Sequence, residues 1–249
     1  MSVSSGTEAG SGAPNRDSDQ FATEVRSMFD RIAGVYDLMN SAMTAGLHHQ
    51  WRQRAVDRAN VGPGSDALDL CCGTGDLALE LRMRIGPDGR VVGSDFSEPM
   101  LELARRKSGD RGLPVEFGWA DALDLPYGEA SFDAVTIGFG ARNLADLDRG
   151  LSEMVRVLRP GGRLVILEIT RPQREPLASF YSLWFDRVVP VIGSLAGDPD
   201  AYSYLPDSVR SFPDPKRLAA KIESAGFTEI RWLLLAGGII AIHSATKAK

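Results

Sequence analysis

The sequence predicts a single α/β domain, an open sheet of mostly parallel strands with helices on both faces. Three observations carry that expectation. Short apolar runs alternate with helical stretches from about residue 66 to residue 168. The stretch Asp66-Ala-Leu-Asp-Leu-Cys-Cys-Gly-Thr-Gly-Asp-Leu-Ala-Leu-Glu80 reads as a buried strand, a glycine turn at Gly73-Thr74-Gly75 and a helix that starts at Asp76. A second strand (Val91, Val92) then ends in an acid, Asp95, twenty residues past Gly75.

A strand that turns through glycines into a helix aims backbone N–H groups and a helix N-terminus at one space. An acid at the end of the next strand is placed to accept hydrogen bonds from ribose hydroxyls. A nucleoside-bearing cofactor follows. Gly73-x-Gly75-x-x-Ala78 also fits the dinucleotide fingerprint, so NAD is a rival. Two features favour S-adenosylmethionine instead. Asp69 lies inside the strand before the turn, where it suits a cationic ligand better than a pyrophosphate. The glycine turn also occurs once, with no second mononucleotide half.

Composition sets the bounds. The 249 residues are 43% hydrophobic, enough for one full core with some insertion. Net charge is −5 without a basic block, which disfavours a nucleic-acid partner. The only cysteines, Cys71 and Cys72, are adjacent and cannot staple distant elements, as expected of a chain in a reducing cytosol. Three histidines and no spaced Cys/His set leave no metal site to expect. Residues 1 to 18 are polar and small, predicting a disordered tail before a domain spanning 19–249. No run of about 18 apolar residues suggests a membrane span.

Along the chain, Met28, Phe29, Ile32 and Val35 recur at helical spacing, and a second helix runs to about Ala59. Tyr36, Asn40 and His48 put a phenol, an amide and an imidazole where they can line a pocket mouth. Ser97-Glu98-Pro99 starts a helix that runs to about Lys107. A strand, 115–119, leads to Asp121, on the edge where open α/β sheets bind ligands. Ser131–Ile137 is the next strand, and Gly138-Phe139-Gly140-Ala141-Arg142-Asn143 reaches the same edge. A helix over 147–158 stops hard at Arg159-Pro160-Gly161-Gly162, before a strand over 163–168. The alternation fails over 173–212, an aromatic-rich insertion with Phe180, Tyr181, Trp184, Phe185 and Val188, followed by Tyr202, Tyr204, Leu205 and Phe212 among turn residues. It is either a helix buried against the sheet edge or a greasy cover over a ligand with a long apolar part. A helix over 215–225 and two strands, 227–235 and 238–245, close the chain.

These residues carry a resemblance over nearly the whole chain. Tyr36-Asp-x-Met-Asn40, Gly46-x-His48-x-x-Trp51, Leu68-Asp69-x-x-x-Gly73-Thr74-Gly75-Asp76, Phe139-Gly-x-Arg142-Asn143, Arg156-Val-Leu-Arg-Pro-Gly-Gly162, Leu167-Glu168 and Gly237-Gly-x-x-Ala-x-His243 resemble the ubiquinone/menaquinone biosynthesis C-methyltransferase family. The resemblance implies a class I S-adenosylmethionine-dependent methyltransferase: a Rossmann-like seven-stranded sheet with an antiparallel last strand. It implies methyl transfer to a ring carbon of a prenylated quinol, demethylmenaquinol to menaquinol before the ubiquinone-pathway alternative, since Cys-Cys-Gly-Thr and Ile-Gly-Phe-Gly are nearer the menaquinone-type members. The cofactor residues implied are Asp69, Gly73, Thr74, Gly75, Asp95, Phe96, Asp121, Ala122 and Gly138. Arg142, Asn143, Tyr36 and His48 are implied on the acceptor side. A soluble chain of this kind would meet its acceptor by transient contact with the membrane surface, from the cytoplasmic side. Monomer and homodimer are both left open. The sequence departs from the family pattern at Cys71, where many methyltransferases have glycine, at His49-Gln50, where an arginine is common, and at Gly138, where serine is common.

Overall fold

A computed structural model describes residues 16–172 and 199–249, with side chains from 20 to 172 and from 204 to 249. Two helices open the chain, α1 (Arg16–Thr44) and α2 (Leu47–Ala59). The alternation follows as β1 (Asp66–Leu70), α3 (Asp76–Ile85), β2 (Arg90–Asp95), α4 (Glu98–Arg111), β3 (Glu116–Trp119), β4 (Phe132–Gly138), α5 (Leu147–Val157) and β5 (Leu158–Ile169). After the segment outside the described residues come α6 (Pro199–Ser211), α7 (Pro215–Ser224), β6 (Phe227–Leu235) and β7 (Ile240–Lys247). The seven strands form one sheet in the order β3-β2-β1-β4-β5-β7-β6, and β7 runs antiparallel to both its neighbours. That is the expected class I methyltransferase topology.

Local chemistry accounts for the boundaries. Ser97 caps α4 by accepting from the Met100 N–H, with Pro99 in the first turn. Asp146 caps α5 and Asp214 caps α7 in the same way, through the N–H of Arg149 and of Arg217. The β1 and β4 side chains are almost wholly buried because the sheet is covered on both faces. One face packs Phe132, Leu151, Met154, Leu218, Ile222 and Phe227. The other packs Ala55, Val56, Leu77, Leu81 and Ile85 from α2 and α3. A third cluster (Met28, Ile32, Ala33, Met100) seats α1 on α4.

Three boundaries differ from expectation. Residues 16–18 of the expected tail are already helical. The turn at 159–162 is not a stop between elements: Leu158 pairs with Phe132, Arg163 with Ala134, and the glycines bulge between them, Gly161 at φ +80°. Tyr204 and Leu205 lie on a helix, α6, rather than among turns. The aromatic cluster from Phe180 to Ile192, with Tyr181, Trp184, Phe185 and Val188, lies outside the described residues.

Strand order reverses between β1 and β4, so their C-terminal ends open a crevice at the sheet edge. The glycine turn after β1 forms its floor. Gly75 sits at φ +83°, and a Cβ there would lie 2.9 Å from the Phe117 ring and 3.0 Å from the Ala104 methyl. Glycine is required at this position both by conformation and by packing. Gly75→Ala should therefore lower unfolding stability by about 1–3 kcal/mol, read from urea denaturation. A change within a few tenths of a kcal/mol would show that β3 and α4 shift without cost.

Candidate functional site

The crevice holds a cavity of about 540 Å³. Gly73, Asp95, Phe96, Asp121, Ala122 and Gly138, expected on the cofactor side, all line it. Gly73 has φ +54° and nothing within 4 Å of where a Cβ would stand, so its backbone is open to a ligand. Its N–H donates to Asp95 Oδ2 at 2.8 Å, while the Ser97 N–H donates to Asp95 Oδ1 at 2.9 Å. Asp95 is only 6% exposed; burial raises its pKa above the ordinary carboxylate value, and those N–H bonds oppose the rise. Asp121 is exposed and held by the Leu123 N–H at 2.8 Å. Phe96 meets Phe29 edge to face at 6.4 Å, and Phe29 meets Tyr36 in the same way at 6.1 Å.

The Cys71 departure has a structural account. Cys71 lines the cavity at φ +50°, a conformation that glycine adopts more readily. A Cβ on Gly140 would lie 2.4 Å from the Cys71 Cβ, so the glycine at 140 makes the room that the cysteine takes. Burial pushes the Cys71 thiol well above its usual pKa, which keeps it protonated and unreactive.

At the other end of the cavity, β4 turns through Phe139, itself at φ +60°, into a single 3-10 turn, Ala141–Asn143. Asn143 and Tyr36 line the wall. Arg142 lies behind it: its Nη1 donates to the Phe139 carbonyl at 2.5 Å and to Glu168 Oε1 at 2.7 Å, with both side chains of the pair buried. Burial alone would lower the Arg142 pKa, but Glu168 and Tyr36 outweigh it and hold the charge. Arg142 Nε is buried with no partner among the described residues. Burial raises the Tyr36 phenol, against the nearby Asn40 amide and the charge of Arg142. Tyr36 therefore stays protonated, with a hydroxyl able to donate.

Besides Arg142, four predicted residues do not reach the cavity wall. Gly75 is a packing glycine, as above. Asp69 is 1% exposed and faces Thr136, whose hydroxyl donates to Oδ1 at 2.7 Å, while Oδ2 has no partner among the described residues. Burial raises its pKa to about 7, against the Thr136 bond and the Arg52 charge. Thr74 is 3% exposed and donates its hydroxyl to Asp37 at 2.6 Å. Lys107 joins the same cluster, reaching Asp37 at 2.6 Å and Asp76 at 2.7 Å. His48 is 2% exposed between α1 and α2. Its Nδ1 takes a short contact from Arg52 and its Nε2 bonds the Ser41 hydroxyl at 3.2 Å. Arg52 continues to Asp76 at 2.9 Å. His48 is thus held within the helix pair, off the cavity wall.

Beyond Tyr36, sequence reasoning missed the contribution of α1 to the wall: Ala22, Thr23, Arg26 and Phe29 line the cavity, as do Trp119 and Met100. Phe29 shares the 3.6 period of the core residues, so periodicity alone could not separate a wall from a core face. The charged lining groups are Asp95, Asp121 and Asp146 against Arg26 and Arg149. An acid at the strand end and an open glycine backbone fit a sulfonium nucleoside, and a lining of three acids against two arginines suits a pyrophosphate less well.

The comparisons agree with that geometry. Residues 17–247 match the model of the ubiE/COQ5 methyltransferase family. A demethylmenaquinone methyltransferase of Thermus thermophilus is 50% identical over 87% of this chain and 98% of its own. A ubiquinone/menaquinone biosynthesis C-methyltransferase UbiE of Teredinibacter turnerae is 41% identical over 91% of this chain and 92% of its own. Among solved structures, a SAM-dependent methyltransferase of Thermotoga maritima superposes with a TM-score of 0.63 at 20% identity, over 89% of this chain and 98% of that one. At that identity the likeness is one of fold.

The buried imidazole generates a pH dependence. Burial, then the Arg52 and His49 charges, lower the His48 pKa from 6.5 to about 4, against the pull of Asp76 and Asp37. Between those values the unfolded chain binds the proton and the folded chain does not. The His48 contribution to stability is therefore complete above pH 6.5 and is lost as pH falls towards 4. The difference in unfolding free energy between wild type and His48→Gln should shrink over that window. A difference that stays constant from pH 7 to pH 4.5 refutes the buried neutral imidazole.

Proposed function

The chain belongs to the ubiE/COQ5 methyltransferase family and uses S-adenosylmethionine, and from that footing we propose that it methylates a ring carbon of a prenylated quinol, demethylmenaquinol to menaquinol. One observation carries the reading: a single cavity has acids and an open glycine backbone at one end and a buried Arg142–Glu168 pair behind Asn143 and Tyr36 at the other. The naphthoquinol ahead of the benzoquinol rests on the name of the Thermus relative, reinforced by the Cys71-Cys72-Gly73-Thr74 turn.

The cofactor supplies an electrophilic methyl on a sulfonium. Asp95 and Asp121 are the groups to hold the ribose and the base edge, and the Gly73 backbone lets the ligand come close. The protein has little covalent work to do, so positioning dominates. The acceptor becomes nucleophilic when a phenolic hydroxyl gives up its proton to water in the cavity, and charge spreads onto the ring carbon. Asn143 and Tyr36 donate to the oxygen left behind, while Arg142 adds its field from behind Phe139. After the methyl arrives the ring C–H proton leaves and the oxygen takes a proton back, so the overall products are methylated quinol, demethylated cofactor and one proton.

No helix among the described residues is long and apolar enough to cross a membrane. The acceptor is then met at a membrane surface, through transient contact.

Transfer of labelled methyl from S-adenosylmethionine into demethylmenaquinol tests the reading, and a wild-type protein that labels no quinol of either class defeats it. Arg142 gives the mechanistic test. Arg142→Ala would leave Glu168 buried and unpaired, at a cost of about 3–5 kcal/mol in stability, so it confounds chemistry with folding. Arg142→Lys keeps a cation on Glu168 and loses the planar fork. It should lower kcat by about 10²-fold with S-adenosylmethionine affinity near wild type. Unchanged kcat would remove Arg142 from the mechanism.

A further inference from the structure

Tyr204, on α6, has no role in the site as described so far. Its ring packs with Leu205 against the α1 cluster of Met28, Ile32 and Ala33. Its hydroxyl donates to Asn143 Oδ1 at 3.1 Å, on the cavity wall. The Asn143 amide is held from its other side too, since Nδ2 donates to the Phe139 carbonyl at 3.5 Å. That same carbonyl takes the Arg142 guanidinium.

An asparagine amide can sit in two orientations that place N and O in each other's position. Phe139 offers only an acceptor, which favours Nδ2 towards it. The contact is long, so it holds the orientation weakly. Tyr204 completes the assignment by donating to Oδ1. With Oδ1 turned to Tyr204 and one Nδ2 hydrogen spent, the second Nδ2 hydrogen is the donor that the amide has left to offer. A donor at this point matches an oxygen that gains negative charge; a carbonyl turned into its place would repel it.

We propose that Tyr204 is a positioning residue for the acceptor: its hydroxyl fixes the Asn143 amide so that N–H, not C=O, is presented to the reacting oxygen. This rests on the quinol-methylating reading and assigns the orientation of one group within it. It also places α6 in the acceptor end of the site, joined to α1 through the Tyr204 ring and to the β4 turn through its hydroxyl.

Tyr204→Phe keeps the ring and removes only the hydroxyl. Losing one orienting hydrogen bond should lower kcat about tenfold, with the melting temperature and the S-adenosylmethionine Kd unchanged. Asn143→Ala should show a similar loss, and Tyr204→Phe added to Asn143→Ala should cost nothing further, because its only target is gone. Wild-type kcat in Tyr204→Phe overturns the proposal. So does a double variant about a hundredfold slower, since Tyr204 would then act independently of Asn143. A parallel drop in melting temperature and cofactor affinity overturns it as well, by making the hydroxyl a structural tie. The kinetics are run on whichever acceptor the wild-type protein methylates, so a negative result on Tyr204 stays separate from a failure of demethylmenaquinol as acceptor.

Discussion

The site depends on one carboxylate. Asp95 ends β2, and its two oxygens take the N–H of Gly73 from the turn after β1 and the N–H of Ser97 from the start of α4. Three chain segments that diverge from the sheet edge are thereby fixed to one another within hydrogen-bond precision. The Ser97 hydroxyl in turn reaches Asp30 on α1, so the tie extends to the helix that walls the cavity. A buried carboxylate is costly unless its oxygens are satisfied, and here backbone donors do it. The same bonds leave the glycine turn one conformation, with Gly73 facing open space. The shape of this edge is thus set before any ligand arrives.

The second hold on α1 explains where several expected site residues went. Asp30 and Asp37 lie seven residues apart, two helical turns, and so on one face of α1. Asp30 meets Ser97; Asp37 meets Thr74 and Lys107. Thr74 is spent on this clamp, and His48 on the parallel tie from α1 through Arg52 to Asp76. Polar residues in a signature stretch can thus serve a ligand indirectly, by holding down the helix that closes over it. Tyr36 and Asp37 are neighbours in sequence and part ways: one faces the cavity and the other the glycine turn.

This is also where the sequence stops being legible. The turn, Asp95, Phe96, Asp121, Ala122, Gly138 and Asn143 could be read because each lies at a strand's C-terminal end, and topology alone brings those ends together. Side chains on helices are a different matter. A shift of one residue turns a side chain by about 100°, so Tyr36 and His48 could not be sorted into wall and buttress from spacing. Asp69 precedes the turn on a strand whose side chains alternate faces, and it points to Thr136 rather than to the ligand edge. Tyr204 was hidden by composition. Pro199 and Pro206, with Asp200, Asp207 and Ser208, read as turns, yet Pro206 lies inside α6. Its ring costs one backbone bond, and burial of Val209 and Ser208 beside it keeps the helix intact.

The charge arrangement raises a last physical question: why a cation kept for the acceptor does not repel a cationic cofactor in the same cavity. Two unit charges about 8 Å apart interact by about 2 kcal/mol at an effective dielectric of 20, enough to weaken cofactor binding more than tenfold. Glu168, 1% exposed, removes that penalty by pairing with Arg142 at 2.7 Å. Seen from the cofactor end, the pair is close to neutral. Seen from the Phe139 carbonyl and Asn143, it is a dipole with its positive end forward, and a dipole's field falls off faster with distance than a charge's. On the proposed reading the pair can therefore act on an oxygen beside it, while Asp95 and Asp121 hold the ribose and the base edge of the cofactor. As methyl transfer proceeds, positive charge on the sulfonium and negative charge on the ring vanish together, so neither end of the cavity has to reorganise. Fixed, paired groups are suited to such a step, and both ends of this cavity are built from groups whose partners are already in place.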